Sequence, residues 1–432
     1  MTYILMHKNL QVAKIHIDNT GFLVTGISEV YNEHHLPVGV RCQEGIAESF
    51  ALDHWWKDRS IPQSRHGIRD VCFAFSCKNA YSLPLGSLGL SLSDHYWIRP
   101  ADRANLRWDE VNFYCNPFSG VLGDVLLGKK LPNGMEDLCT PDFACNGNLR
   151  KCWRRINNRL CLIKAGTPPL LLESFYEVIA SVIAERLGIP HVTYTLLWEE
   201  GVPYCICDSF TDTNAEFVSA RQIMSTKAVT PGTDLYQHFL RCCRSLGITD
   251  MIPALDQMLV LDYLIGNVDR HFNNFGMLRD PETLSWLSPA PIFDCGSSFG
   301  YNKLPSQIQS GSKPVCKPFR ERHEDQLALV TSFDWIHFDR LQDIESAIYD
   351  AFSDAGEYAD AHRIRAVITS LRHRIEAMKD YICHSSPTGR LPKPLVDEPN
   401  EIAYAAMDPA EKGQDMHDSF KNATERIEAP NS

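Results

Sequence analysis

Nowhere does this chain carry an apolar run approaching the ~18 residues that a membrane-crossing helix requires. Its opening, MTYILMHKNLQVAKIHID, meets His7 and Lys8 before a signal-peptide core could form. Both absences predict a cytoplasmic protein with no membrane partner. Zinc-gripping cysteine pairs are also missing. The 15 cysteines are odd in number and scattered through apolar stretches such as VCFAFSC and LCLIK, and the closest pairs, Cys205/Cys207 and Cys242/Cys243, lack the C-x-x-C spacing that lets two thiolates hold one tetrahedral ion. Reduced, buried thiols are expected instead of disulfides. Positive charge is in deficit: 42 Lys and Arg against 54 Asp and Glu leave a net charge of −12, which repels a phosphate backbone, so no direct nucleic-acid partner is expected. No internal repeat marks a solenoid.

What the sequence does contain is a folded composition, 44% hydrophobic and 22% charged over 432 residues, enough for two or three units. Residues 1–125 read as short mixed elements: a strand at VAKIHID, a helix around SFALDHWWKDR, then WIRP. From Asp142 the pattern sharpens. A glycine turn at CNGNLRK precedes two strands, CWRRI and RLCLIKAG, joined at Asn157-Asn158, which predicts a hairpin ending in Lys164. In ESFYEVIASVIAERLGIP, Phe175, Val178, Ile179, Val182, Ile183 and Leu187 recur at helical spacing, and Gly188 with Pro190 supplies the stop. Strands HVTYTLLW and YCICDSF follow, then helices at TDLYQHFLRCCRSL and MLVLDYLI, a hairpin at NFGMLRDPETLSWL, and helices over 333–383. From His384 onward six prolines and the loss of apolar period predict a disordered acidic tail.

The chemistry concentrates in LDYLIGNVDRHFNNFGMLRD and PIFDCGSSFG. Asp269, Asn274 five residues later, and Asp294 beyond a short hairpin have spacings suited to phosphoryl transfer. One carboxylate positions a hydroxyl nucleophile, and the other two side chains offer the oxygen ligands that hard Mg²⁺ prefers over His or Cys. Read singly, these residues are as well explained by helix caps and a polar loop. His271 is read as packing and hydrogen bonding. Lys164 alone would be a strand-end lysine reaching for solvent. Glu177, placed on the first turn of its helix, suits the positive helix end or a Lys–Glu pair. Asn-Gly at 146–147 suits a tight turn, a phosphate cradle, or both.

Taken together, the set resembles the HipA-like kinases. Asp269, His271 and Asn274 match a D-x-H-x-x-N motif, and Phe293, Asp294 and Ser297 match the later F-D-x-x-S segment. N-G-N-L-R-K at 146–151 is similar to the family's phosphate loop, and the likeness spans roughly 140–383. It implies an α+β, two-lobed protein-kinase-like fold: an N-terminal extension (1–125), a β-rich small lobe (126–215), a mainly helical large lobe (216–383) and the tail (384–432). It further implies Asp269 as catalytic base, Asn274 and Asp294 as magnesium ligands, and ATP contacts at Gly147, Asn148, Lys151, Lys164 and Glu177. YCICDSF resembles the adenine-binding hinge, with Ile206, Asp208 and Ser209 beside the base. The implied activity is ATP- and Mg²⁺-dependent transfer to a Ser/Thr protein substrate, in a toxin-like or regulatory role with an antitoxin-like partner. D-R-H-x-x-N also occurs in phosphoinositide kinases, so a lipid or small-molecule kinase is the first rival, and a non-catalytic nucleotide-binding protein is the second. The family's regulatory serine is replaced by Ala144, which predicts loss of that phosphorylation switch and makes Thr140 the nearest upstream acceptor.

Overall fold

The computed structural model describes residues 1–18, 20, 22–65, 68–74, 79–128, 139–309 and 314–384, all within the compact unit Met1–Pro392. Apart from His384, the predicted tail lies outside the described residues. The fold is α+β, with several small antiparallel sheets and helices concentrated toward the C-terminal half. Among the described residues no helix is long and apolar enough to cross a membrane. The described cysteines are free thiols, most of them buried, with Cys115, Cys139 and Cys383 exposed.

The extension is built on a four-stranded antiparallel sheet in the order Val24–Val30, Leu10–Ile17, Thr2–His7, Tyr96–Pro100. The period of two along a strand decides which face each residue serves. Leu5 and Ile98 join the cluster under the helix Ser49–Asp58, with Trp55 and Trp56. Their neighbours Ile4, Met6 and Trp97 join an opposite cluster with Trp108 and Phe113. Both faces are therefore covered.

A second antiparallel sheet runs Lys151–Ile156, Arg159–Ala165, Val202–Asp208, Thr195–Glu199. Its first hairpin closes at the predicted Asn157-Asn158, with φ of 48° and 63°, the left-handed pair that a two-residue turn needs. Beneath it lies the helix Leu172–Leu187, which buries Phe175, Tyr176, Ile179 and Ile183 and ends at Gly188 with φ 72°. Because this helix begins at Leu172, Glu177 falls in its second turn rather than its first, and the dipole explanation for that glutamate loses its basis.

A third sheet, Glu216–Ser219, Gly276–Arg279, Trp286–Pro289, packs beside the helix Met251–Ile265. That helix is buried on almost every side, through Leu255, Met258, Leu259, Val260, Leu261, Leu264 and Ile265, as expected for the centre of a helical core. Gly276 is required where the strands meet, since a Cβ there would sit 2.1 Å from the Val218 carbonyl oxygen. The central helix stops at Gly266, and the segment that follows is held by backbone hydrogen bonds from Val268 to Ser297 and from Ala220 and Arg221 to Phe275 and Phe272.

Candidate active site

Lys164, on the inner strand of the hairpin, is 3% exposed. Its ammonium donates to Glu177 Oε1 at 3.0 Å, to the Tyr194 hydroxyl at 3.0 Å and to Asp294 Oδ1 at 2.7 Å. Burial disfavours that charge, yet the Asp294 and Glu177 carboxylates outweigh it and hold the lysine well above its ordinary value. Glu177 uses its other oxygen to accept the Cys295 amide at 2.7 Å, so the helix also fixes the backbone next to Asp294. Burial of Asp294 is outweighed by Lys164 and then Lys151, which hold its carboxyl well below the usual range. Asp294 itself adopts φ 59°, a left-handed conformation uncommon for a side-chain-bearing residue and typical of positions where a group must be aimed.

The loop carrying Asp269 and Asn274 is held by a residue that sequence reasoning passed over. Asp262, on the central helix, accepts Arg270 Nε and Nη2 at 2.9 Å each, and also Asn267 Nδ2 at 2.9 Å. The fully buried Arg270 then donates to the Asn274 carbonyl at 3.2 Å, to the Phe293 carbonyl, and to Cys295 Sγ at 3.0 Å. One guanidinium thus joins the backbone of Asn274 to the segment bearing Asp294. Asn274 is buried, and its amide reaches the Asp269 carbonyl at 3.4 Å. The Asp269 carboxylate is 46% exposed and accepts Lys317 Nζ at 2.7 Å. His271 packs in the loop, accepting the Asn273 amide on Nδ1 at 3.3 Å. Burial lowers its pKa despite Asp269 nearby.

The phosphate-loop candidates lie around Gly147, whose φ of 103° is accessible mainly to glycine. A Cβ there would meet Lys151 Nζ at 2.4 Å, which places the buried lysine ammonium against the turn. The Gly147 amide is taken by Asn146 Oδ1 at 2.6 Å, and Asn148 Oδ1 accepts the Ser64 hydroxyl at 2.7 Å. On the strand Val202–Asp208, pairing with Thr195–Glu199 ends at Ile206 whereas pairing with Arg159–Ala165 runs to Asp208, so one backbone edge of the strand's end lies beyond the sheet's outer ladder. Asp208 is ion-paired with Arg159 at 2.9 Å, and the Ser209 amide is committed to the Leu160 carbonyl at 2.8 Å. Thr140 is 1% exposed, caps Pro141–Ala144 and donates to Asp142 at 3.2 Å. Its burial removes it as a surface acceptor in the folded protein, contrary to the expectation from its position.

Tyr194, Asp262, Arg270 and Lys317 escaped sequence reasoning. Arg270 sits inside D-R-H, where a signal existed, but the other three have no diagnostic spacing to the motif.

A small antiparallel sheet with a buried lysine, a helix glutamate paired to it, and an Asp-Asn-Asp loop system on a helical core make up a kinase-type, protein-kinase-like fold. Residues 143–377 match the HipA-like C-terminal domain, more than half of the chain, and the protein belongs to that family. Among solved structures, HipA of Shewanella oneidensis MR-1, in a toxin–antitoxin complex with HipB and its operator DNA, is similar over 88% of this chain and 98% of its own, at 12% identity and a TM-score of 0.51. The Helicobacter pylori proinflammatory kinase CtkA is similar over 52% of this chain and 90% of its own, at 21% identity and a TM-score of 0.43. No curated protein matches the chain in sequence.

Proposed function

We propose that this protein is an ATP- and Mg²⁺-dependent serine/threonine protein kinase of the HipA-like type. The observation that carries the reading is Lys164 bridging Glu177 and Asp294 at 3.0 and 2.7 Å, because it ties the small sheet, its helix and the metal-ligand candidate into one charged centre. Lys164 and Lys151 supply positive charge for the phosphates. Asn274 and Asp294, on segments that Arg270 ties together, would hold the metal and would supply the oxygen donors that a hard divalent cation prefers. When bound, Mg²⁺ neutralises charge on the triphosphate. Asp269, with half its carboxylate surface open, orients the acceptor hydroxyl and takes its proton, after Lys317 has yielded that position.

The small lobe (126–215), large lobe (216–383) and extension (1–125) are the divisions we assign to this kinase. Within the same reading we assign Gly147, Asn148 and Lys151 to the phosphates and the Ile206–Ser209 backbone to the adenine edge. An antitoxin-like protein partner follows from the family, and the net charge of −12 favours contact with a protein over direct contact with nucleic acid. Incubating the protein with γ-labelled ATP and Mg²⁺, in parallel with a protein mixture and with lipid vesicles, tests the activity. Label on Ser or Thr of protein supports it, label on lipid vesicles favours the lipid-kinase rival, and nucleotide binding without any transfer favours the non-catalytic one.

A further inference from the structure

Residues 1–125 contain no chemical motif, yet one of their side chains reaches the phosphate-loop candidate. Arg65 is 1% exposed. Its Nε donates to the Gly147 carbonyl at 2.7 Å and its Nη2 to the Cys145 carbonyl, while Nη1 is buried without a hydrogen-bond partner among the described residues. No carboxylate pairs with it among the described residues. Asp142 lies near enough to favour its charge, but that carboxyl is committed to the Trp153 amide at 2.7 Å and to Thr140. Burial consequently pulls the Arg65 pKa down, with Cys145 and Asp142 only partly opposing it. Lys151, on the other side of Gly147, is in the same condition: burial lowers its pKa, with Asp294 the main opposing charge.

Two buried cations flank one glycine turn, and neither has a salt-bridge partner among the described residues. Burying an unneutralised charge is strongly unfavourable, and it is offset when an anion of matching size enters. We infer that Arg65 is a positioning residue of the nucleotide site, by which the N-terminal extension shapes the 145–148 loop and adds positive potential for a polyphosphate. This rests on the nucleotide-binding reading above and names a residue which that reading does not require. Arg65 reaches no substrate atom directly; it acts through the loop carbonyls and through its field.

Charge dependence separates this role from a purely mechanical brace. The full chain is titrated with Mg·ATP, adenosine and sodium tripolyphosphate, as wild type, Arg65→Gln, Arg65→Lys and Lys14→Ala. Arg65→Gln is expected to weaken ATP and tripolyphosphate by about tenfold or more while adenosine changes by less than about twofold. Arg65→Lys should recover most of the phosphate-dependent affinity, and Lys14→Ala, which removes a cation paired with the exposed Glu29, should keep the wild-type ratio of ATP to adenosine. Equal losses of ATP and adenosine in Arg65→Gln, or no loss of either, would overturn the inference. Should that variant fail to fold, Arg65→Lys decides in its place: retained tripolyphosphate affinity supports the role of charge, and a loss shared equally with adenosine contradicts it. Wild-type protein that binds tripolyphosphate but not ATP would overturn the kinase reading and leave the anion site standing, whereas binding of neither overturns both.

Discussion

At the scale of single residues, what the sequence shows is chemistry carried at short range. Asp269 and Asn274 are five apart, and Asp294 follows a readable hairpin, so spacing alone singles them out as candidates for one site, while the roles proposed for them come from the family resemblance. Lys164 and Glu177 sit on a legible strand and helix, and the structure pairs them at 3.0 Å. Tyr194 and Lys317 approach the same centre from segments with no fixed offset, and only folding discloses them. Lys317 and Asp269 are 56% and 46% exposed, so their pairing is worth at most about 1 kcal/mol. Lys317→Ala should leave the melting temperature within about 1 °C while changing kcat; a change confined to stability would remove Lys317 from the site. Asp142 gives a pH test. Burial first of all pushes its carboxyl up to about 7, with the Trp153 amide opposing. The folded state therefore keeps a proton that the unfolded chain releases from about pH 4. Stability contributed by this group falls between those two values and is flat above. Asp142→Asn should raise stability at pH 8 relative to wild type by about 1–3 kcal/mol, seen as a higher melting temperature, and leave both unchanged at pH 4. An equal shift at both pH values would show that folding does not change the affinity of Asp142 for its proton.

Whole elements were legible where punctuation was strong. Asn157-Asn158 and Gly188 marked their turn and helix end because only a few residue types tolerate positive φ. The strand Thr2–His7 was not legible: both its faces are covered, so YILM reads as an apolar run without alternation. The short helices Pro305–Gln309 and His323–Leu327 are too brief to show a period. The loop carrying Asp269 and Asn274 is the element on which the kinase reading depends most, and its shape rests on Arg270. Arg270→Met would leave the buried Asp262 charge unpaired, at a cost of about 3–5 kcal/mol, visible as a lower denaturant midpoint. The double variant with Asp262→Leu should regain much of that stability but not transfer activity, since the tie between Asn274 and the Asp294 segment stays broken. Full activity in the double variant would mean that the loop holds its geometry without the guanidinium.

For the molecule as a whole, the sequence left the first 125 residues without a role, because nothing local in them announces long-range partners. Glu216, fully buried in the third sheet, lies 3.0 Å from His7 Nε2 and 3.4 Å from His95 Nδ1, and accepts Arg279 Nε at 2.8 Å. Burial of its carboxyl is outweighed by His7 and then by His95 and Arg279, which hold it well below the usual range. Arg279 also donates to the Tyr96 hydroxyl at 3.0 Å. Residues 1–125 are thereby joined to the third sheet through one buried carboxylate, and through Arg65 to the turn at Gly147. Glu216→Ala should cost about 3–5 kcal/mol, against at most about 1 kcal/mol for Lys8→Ala, which breaks the exposed contact with Glu282 at 2.8 Å. Comparable small losses for both would show that the hub does not hold the two parts together.

The central claim is that Asp269 serves transfer and not binding. Asp269→Asn keeps the shape of the loop and the Asn274 contact, which uses the backbone carbonyl, while removing the carboxylate. The direct measurement is phosphate incorporated into protein from γ-labelled Mg·ATP, run beside nucleotide affinity on the same two samples. The account predicts wild-type incorporation on Ser or Thr, a fall of at least about 100-fold in Asp269→Asn, and Mg·ATP affinity unchanged within about twofold. Wild-type transfer by Asp269→Asn would contradict it.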